Sequence, residues 1–152
     1  MGNLELTGIF PRIEPCTDCP ESELAVYRRL KDSLLAGWTA WHSMKIRTKG
    51  AQFSESDFVV ANPARGILAL EVKGGLVKKE GGVWLQNGQP MKSSPLAQAH
   101  RFVRTLIARF KDKGLFAPPI GVAVVFSDMD FDAQPTRATS RGLSSGPVNS
   151  LT

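Results

Sequence analysis

The first clear element along the chain is an amphipathic helix. Residues 20–36 repeat their apolar side chains at about 100° per residue, so Tyr27, Leu30 and Leu34 share one stripe. A proline in the first turn and a glycine directly after the segment favour these ends. Glu23 falls on the same stripe, where a carboxylate is costly unless a positive or hydrogen-bonding group meets it. Glu23 is therefore a candidate ligand or, nearly as well, an acid placed to suit the helix dipole.

Four further segments predict the strands of a sheet. Residues 57–61 and 66–73 are apolar on both faces, as expected of central strands, and a turn at 62–66 joins them. Residues 38–46 alternate loosely before this pair, and residues 120–126 form a last apolar strand. A strand that follows a long helix joins its sheet through a crossover. The order predicts an α/β domain of three layers, with a central mixed sheet flanked by helices.

A hairpin and a second helix are predicted between the strand at residues 66–73 and the strand at residues 120–126. Residues 76–79 and 83–86 are separated by Glu80-Gly81-Gly82, and Asn87-Gly88 is expected to turn the chain out of the hairpin. The helix covers residues 95–113, after a serine suited to its N-cap. Its predicted core-facing stripe consists of Leu96, Ala99, Val103, Leu106, Ile107 and Phe110.

Composition indicates a soluble globular protein. The chain has 152 residues, of which 42% are hydrophobic and 22% charged, enough for one domain with a core. We expect a cytoplasmic protein without a membrane partner, because no apolar stretch approaches ~18 residues and no signal-peptide pattern opens the chain. Residues 1–20 are interpreted as an N-terminal extension, 21–130 as the domain, and 131–152, without apolar periodicity, as a flexible or truncated tail.

Charge and cysteine content add two weaker indications. Lys and Arg exceed Asp and Glu by 19 to 14, and the resulting charge of +5 would attract a polyanion such as nucleic acid without defining a site. Cys16 and Cys19 supply half of a four-ligand zinc site, which His42 and His100 would complete only if the fold brought them close. A reduced pair without a metal is the default interpretation.

The charged residues of the two central strands carry the candidate chemistry. If the hairpin folds about Ala64, Asp57 lies opposite Glu71, and Glu55 lies opposite Lys73. Because side chains alternate along a strand, Asp57, Glu71 and Lys73 then project from one face of the sheet. A five-residue turn leaves other registers open, so this pairing is a hypothesis.

Two carboxylates side by side repel each other unless a proton or a cation lies between them, and their oxygens suit Mg²⁺, with Mn²⁺ as a substitute. Lys73 would hold or deprotonate an attacking water while the metal polarises a phosphoryl oxygen. The amide of Gln98, at the edge of the second helix's stripe, would orient water or phosphate. Arg101, Arg104 and Lys111 share one polar flank and would contact DNA phosphates if they lie beside the carboxylates.

The same residues have a purely structural interpretation. A Glu-x-Lys pair on an exposed strand is usually a solvated salt bridge, Gln98 is by default a surface or cap amide, and the basic flank is by default a solvated helix face. The segment around Glu71 argues against exposure, because Leu68, Leu70 and Val72 are apolar. A buried charge requires a specific partner, which favours the functional interpretation.

These residues resemble a known signature. Asp57, followed fourteen residues later by Glu71-Val72-Lys73, is similar to the D-x(n)-(D/E)-x-K pattern of the restriction-endonuclease-like, or PD-(D/E)xK, nuclease superfamily. More specifically, the segments 55–60 (ESDFVV), 70–74 (LEVKG) and 95–99 (PLAQA) resemble the nuclease-related domain family, NERD. The resemblance covers roughly residues 21–126.

The resemblance implies a Mg²⁺-dependent deoxyribonuclease of DNA processing with a restriction-endonuclease-like fold. It implies that Asp57, Glu71 and the carbonyl of Val72 hold the ion, that Lys73 activates water, and that Glu23 is the acid of the first helix. The alternative is a catalytically weak or inactive nucleic-acid-binding module, or a fragment of a nuclease-helicase protein. The expected partners are DNA and a helicase acting with the protein, and a homodimer stays open because many nucleases pair to cut both strands.

Overall fold

A computed structural model describes residues 7–15 and 18–129 of the chain. The tail predicted for residues 131–152 lies outside the described residues, as does Cys16. The elements in chain order are β1 (Gly8–Phe10), α1 (Glu21–Ser33), β2 (Thr39–Arg47), β3 (Phe53–Asn62), β4 (Gly66–Lys73), β5 (Val77–Glu80), β6 (Val83–Gln86), β7 (Gln89–Pro90), α2 (Pro95–Asp112) and β8 (Ile120–Phe126).

The central sheet is mixed, with the strand order β1-β2-β3-β4-β8. Strands β2, β3 and β4 are antiparallel neighbours, whereas β1 pairs parallel with β2 and β8 pairs parallel with β4. The two edge strands are thus the parallel ones, and the predicted crossover through α2 to β8 is confirmed. The chain has an α/β fold with a mixed sheet, as predicted.

Helices α1 and α2 cover opposite faces of this sheet, which gives the three layers. On the α1 face, Tyr27 packs with Phe58 and Leu70 in one buried cluster. On the α2 face, Phe102 packs with Ala69 and other odd-numbered residues of the central strands. Because side chains alternate, the odd-numbered positions of β3 and β4 point toward α2. That alternation places the acidic residues 57 and 71 on the α2 face.

Both helices differ in detail from the prediction. Helix α1 ends at Ser33 rather than at residue 36, because Leu34 adopts an extended backbone. In α2 the buried stripe is rotated from the predicted one: Phe102 is fully buried, whereas Leu96 and Ile107 are 46% and 44% exposed. Apolar spacing along α2 permits several stripes, and packing on the sheet selects the one that contains Phe102. None of the described helices is both long and apolar enough to cross a bilayer.

Two pieces of the sheet structure were not predicted. Strand β1 belongs to the central sheet, although its residues were assigned to an N-terminal extension; three residues are too few for a periodic signal. Asn87 and Gly88 do not lead the chain out of the hairpin: both have positive φ, and they form a two-residue turn to the additional strand β7. Strands β5, β6 and β7 form a separate antiparallel sheet.

Candidate metal and active site

The candidate site begins where the β3–β4 ladder stops. The two strands pair about Ala64 from Asn62–Gly66 to Phe58–Leu70, in the register predicted from the turn. Beyond that pair, side chains take over the backbone hydrogen bonds. Ser56 Oγ donates to the carbonyl of Leu70 at 3.2 Å, and the amide of Val72 donates to Asp57 Oδ2 at 2.7 Å. Asp57 therefore lies beside the peptide that carries Val72, next to Glu71.

The β3–β4 ladder ends at Phe58–Leu70, so neither of the pairings predicted beyond it, Asp57 with Glu71 and Glu55 with Lys73, is a ladder pair. On its other side Glu55 pairs with Lys45 across β2, and it accepts a 2.6 Å hydrogen bond from Ser43 Oγ. Ser43 has a φ of 55°, a conformation that is rare for residues other than glycine and is frequent at functional sites. Strand β2 is thus also irregular beside Asp57.

Lys73 and Gln98 extend the acidic pair into a hydrogen-bonded network. Lys73 Nζ donates to Glu71 Oε1 at 2.7 Å and to Gln98 Oε1 at 3.0 Å. Gln98 Nε2 in turn donates to the carbonyl of Ser93, just before α2, at 3.1 Å. The amide of Gln98 is therefore held with its oxygen toward the lysine. Sequence reasoning expected these two residues at the site, and the fold brings them into contact.

The network is partly buried and carries net negative charge. Glu71 is 6% exposed, and the side chain of Lys73 is 14% exposed. Burial raises the pKa of Asp57 to about 6 from 3.8; the charges of Glu71 and Glu23 add to the rise, and the Val72 amide and Lys73 oppose it. Two carboxylates against one ammonium leave a negative charge that a cation would neutralise. The donors are oxygens, so the site fits a hard divalent ion.

A groove of about 1100 Å³ runs over these carboxylates and along α2. Asp57, Glu71 and Gln98 line it, together with the predicted Arg101 and Arg104. Lys111, predicted with them, is not part of the lining. Sequence reasoning missed three basic residues that do line the groove: Arg47, Lys49 and Arg109.

The missed residues come from two elements that meet only in the fold. Arg109 in α2 donates a 2.6 Å hydrogen bond to the carbonyl of Arg47 at the end of β2. Lys49, in the loop after β2, forms a 3.3 Å ion pair with Asp112. The polar, basic loop after β2 was visible in the sequence. Its proximity to the end of α2 was not, because no sequence pattern connects the two segments.

Glu23 lies on α1 and does not line the groove. Its Oε2 is 2.8 Å from Nε2 of His42, and their side chains are 19% and 9% exposed. His42 thus supplies the hydrogen-bonding partner that a carboxylate on this stripe required. Cys19 Sγ is also close, 3.8 Å from the same His42 nitrogen, whereas His100 is an exposed residue of α2. The catalytic role of Glu23 stays a prediction.

A comparison with family models gives one match, to the nuclease-related domain, over residues 21–127. The chain belongs to the nuclease-related domain family. No match was found among curated proteins or solved structures. The range matched by the NERD model contains both helices, strands β2 to β8 and the whole Asp57–Gln98 network, while β1 precedes it. Membership indicates a nuclease-related function and suggests a divalent metal.

Proposed function

We propose that the protein is a metal-dependent nuclease that hydrolyses DNA phosphodiester bonds at Asp57, Glu71 and Lys73. One observation carries the proposal: the buried carboxylate of Glu71 and the partly buried one of Asp57 open into a groove lined by arginines, and the Lys73 ammonium is held 2.7 Å from Glu71. A merely structural salt bridge requires neither the second carboxylate nor the basic groove.

Asp57 and Glu71 would hold the metal ion, with Mg²⁺ as the natural choice and Mn²⁺ as its substitute. The carbonyl of Val72 is the third predicted ligand, and the N–H of the same residue donates a hydrogen bond to Asp57. When bound, such an ion polarises a phosphoryl oxygen and stabilises the charge that develops during hydrolysis. The protein contributes a preformed pair of oxygen donors, one of them held by a backbone hydrogen bond.

Lys73 and Gln98 are placed to act on the attacking water. Lys73 has three donor hydrogens, of which Glu71 and Gln98 engage two, so one remains to orient a water or a phosphate oxygen. Gln98 fixes the direction of the ammonium, because its own amide is anchored to Ser93. The pair would therefore position the nucleophile with little rearrangement.

DNA is the proposed substrate because of the charges along the groove. Arg101, Arg104 and Arg109 of α2 and Arg47 of β2 line it, and guanidinium groups bind phosphate through paired hydrogen bonds. The acidic lining residues Glu55 and Asp112 face Lys45 and Lys49, which reduces their repulsion of a phosphate backbone. Contacts of this kind position a strand without reading its sequence.

The test is cleavage of labelled single- and double-stranded DNA by the full chain with Mg²⁺, Mn²⁺ or a chelator. We expect metal-dependent cutting that Lys73→Ala abolishes and that Lys111→Ala, at an exposed lysine of α2 outside the Glu71–Lys73–Gln98 network, leaves intact. Full cutting by a folded Lys73→Ala protein would contradict the role of Lys73. Binding without any cutting by wild type, unaffected by Asp57→Asn, would replace the nuclease with a nucleic-acid-binding module.

A further inference from the structure

The α1 face of the sheet carries a second group of side chains whose types can bind a metal, and only Glu23 among them belongs to the predicted catalytic residues. Cys19 lies two residues before α1, Glu23 lies in its first turn, and His42 lies in β2. Packing of α1 on the sheet brings together one sulfur, one oxygen and one nitrogen atom, all within 4.8 Å of one another. We propose that Cys19, Glu23 and His42 bind a divalent cation of the Zn²⁺ type, with a ligand set that includes neither Asp57 nor Glu71.

The distances are close to those of a zinc site. With bonds of about 2.3 Å to sulfur and about 2.0 to 2.1 Å to nitrogen and oxygen, tetrahedral coordination separates the donor atoms by roughly 3.3 to 3.6 Å. The Cys19 Sγ to His42 Nε2 distance is 3.8 Å, near that range. The His42 Nε2 to Glu23 Oε2 distance is 2.8 Å, a hydrogen bond that an entering ion would widen by roughly 0.5 Å.

The surroundings of the three side chains favour a cation. The His42 ring is held by Phe58, with ring centroids 4.9 Å apart, and by the edge of Tyr27 at 6.2 Å. Burial and the negative charges of Glu23, Asp57 and Glu21 raise the pKa of the Cys19 thiol. The same negative charges attract a positive ion, which would offset the cost of forming the thiolate.

The donor types select the class of metal. A thiolate, an imidazole and one carboxylate suit Zn²⁺ and related transition ions, whereas Mg²⁺ and Ca²⁺ prefer oxygen ligands throughout. Three protein ligands leave the fourth tetrahedral position to water. Binding requires the Cys19 thiol to lose its proton and His42 to present a neutral Nε2, so protons are released as the ion enters. If Glu23 and His42 formed only an ion pair and no metal site, Cys19 would take no part in binding a cation.

The test is a titration of the full, reduced chain with Co²⁺, a spectroscopic stand-in for Zn²⁺. We expect one equivalent to produce a thiolate-to-cobalt charge-transfer band in the near ultraviolet, and Zn²⁺ to displace it. Cys19→Ser should remove the band, and His42→Gln should weaken binding at least about tenfold, the effect expected of a lost ligand. His100→Ala, at an exposed histidine of α2, and Asp57→Asn should both keep the band.

Three results would overturn the proposal: no thiolate band at saturating Co²⁺, a band that persists in Cys19→Ser, or a band lost equally in Asp57→Asn. Unfolding curves of the variants in chelator check that each one folds. Cys19→Ser carries the test if His42→Gln fails to fold, because Cys19 is only partly buried. The readout needs no DNA, so failure of this proposal and failure of the proposed nuclease are distinguishable.

Discussion

The two ends of the β3–β4 pair differ although the same two strands form both. Near the turn, from Phe58–Leu70 to Asn62–Gly66, every residue is paired across the ladder, and the side chains of 58–61 and 67–70 are apolar on both faces. At the other end, Asp57, Glu71 and Lys73 follow the last ladder pair, and Asp57 itself accepts the Val72 amide. The regular, buried half of the β3–β4 pair thus holds the polar half in place beyond the point where the ladder stops.

The largest effect is expected at the polar end. Glu71→Gln removes one of two carboxylates proposed to hold the ion, and we expect DNA cleavage to fall at least about 100-fold, the usual loss when one preorganised electrostatic group is removed. Glu80→Gln, on the exposed strand β5, is the matched control and should cut like wild type. Initial cleavage rates under Mg²⁺ measure the difference. Equal rates for the two variants would remove Glu71 from the site.

The apolar end should control stability. Phe58 of β3 is fully buried between the sheet and α1, so Phe58→Ala should lower the free energy of unfolding by about 3 to 5 kcal/mol. Phe53→Ala, on the same strand at a side chain 65% exposed, should change it little. Urea unfolding of both variants measures the difference, and a small loss for Phe58→Ala would mean that the paired half is not the support of the site.

A smaller effect should appear in the pH dependence of stability without metal. The pKa of Asp57 is about 6 in the folded chain and near 3.8 when exposed, so the folded state holds its proton more tightly. Stability should therefore fall as the pH rises through about 6. Asp57→Asn, which still accepts the Val72 hydrogen bond, should be more stable than wild type above that pH by about 1 to 2 kcal/mol, allowing for partial exposure.

Urea unfolding in chelator at pH 5 and pH 8 tests this linkage. The advantage of Asp57→Asn should grow from the lower pH to the higher one, and Mg²⁺ at pH 8 should stabilise wild type but not the variant. An advantage that is the same at both pH values would contradict the proposed electrostatic cost at Asp57.

The smallest effect concerns the groove beyond the polar end. Arg104→Ala should weaken DNA binding and reduce the slope of log affinity against log salt by about 1, as expected for one lost phosphate contact. Lys111→Ala, outside the groove lining, should keep the wild-type slope. Titrations at several salt concentrations compare them, and equal slopes for both variants would place DNA elsewhere on the surface.

Local patterns in the sequence predicted the regular half but not its limits. The apolar runs predicted the two strands, and the register about Ala64, a hypothesis based on the turn between them, is confirmed. Pairing stops where the side chains of Ser56 and Asp57 form hydrogen bonds with the backbone of the opposite strand. The periodicity of apolar residues in a strand does not reveal such hydrogen bonds. The prediction for Glu55 failed for that reason.

Long-range contacts explain the other gaps. Glu23 was recognised as a carboxylate that needs a partner, but His42 lies in another element and no spacing rule connects the two. The basic lining was likewise half predicted. Arg101 and Arg104 share the predicted flank of α2, Arg109 lies on the same helix but was not assigned to that flank, and Arg47 joins them only through the fold. Strand β1 was missed because its three residues pair with β2 from a distance in sequence.

The most direct test of the central claim is to locate Mn²⁺ by its paramagnetic broadening of backbone amide signals in the full chain. If the polar end of β3–β4 holds the ion, the amide of Val72 should broaden at substoichiometric Mn²⁺, well before that of Gly66, about 20 Å away along β4. The double variant Asp57→Asn, Glu71→Gln should lose this broadening. Uniform broadening along β4, or broadening of Val72 that survives in the double variant, would contradict a metal site at these carboxylates.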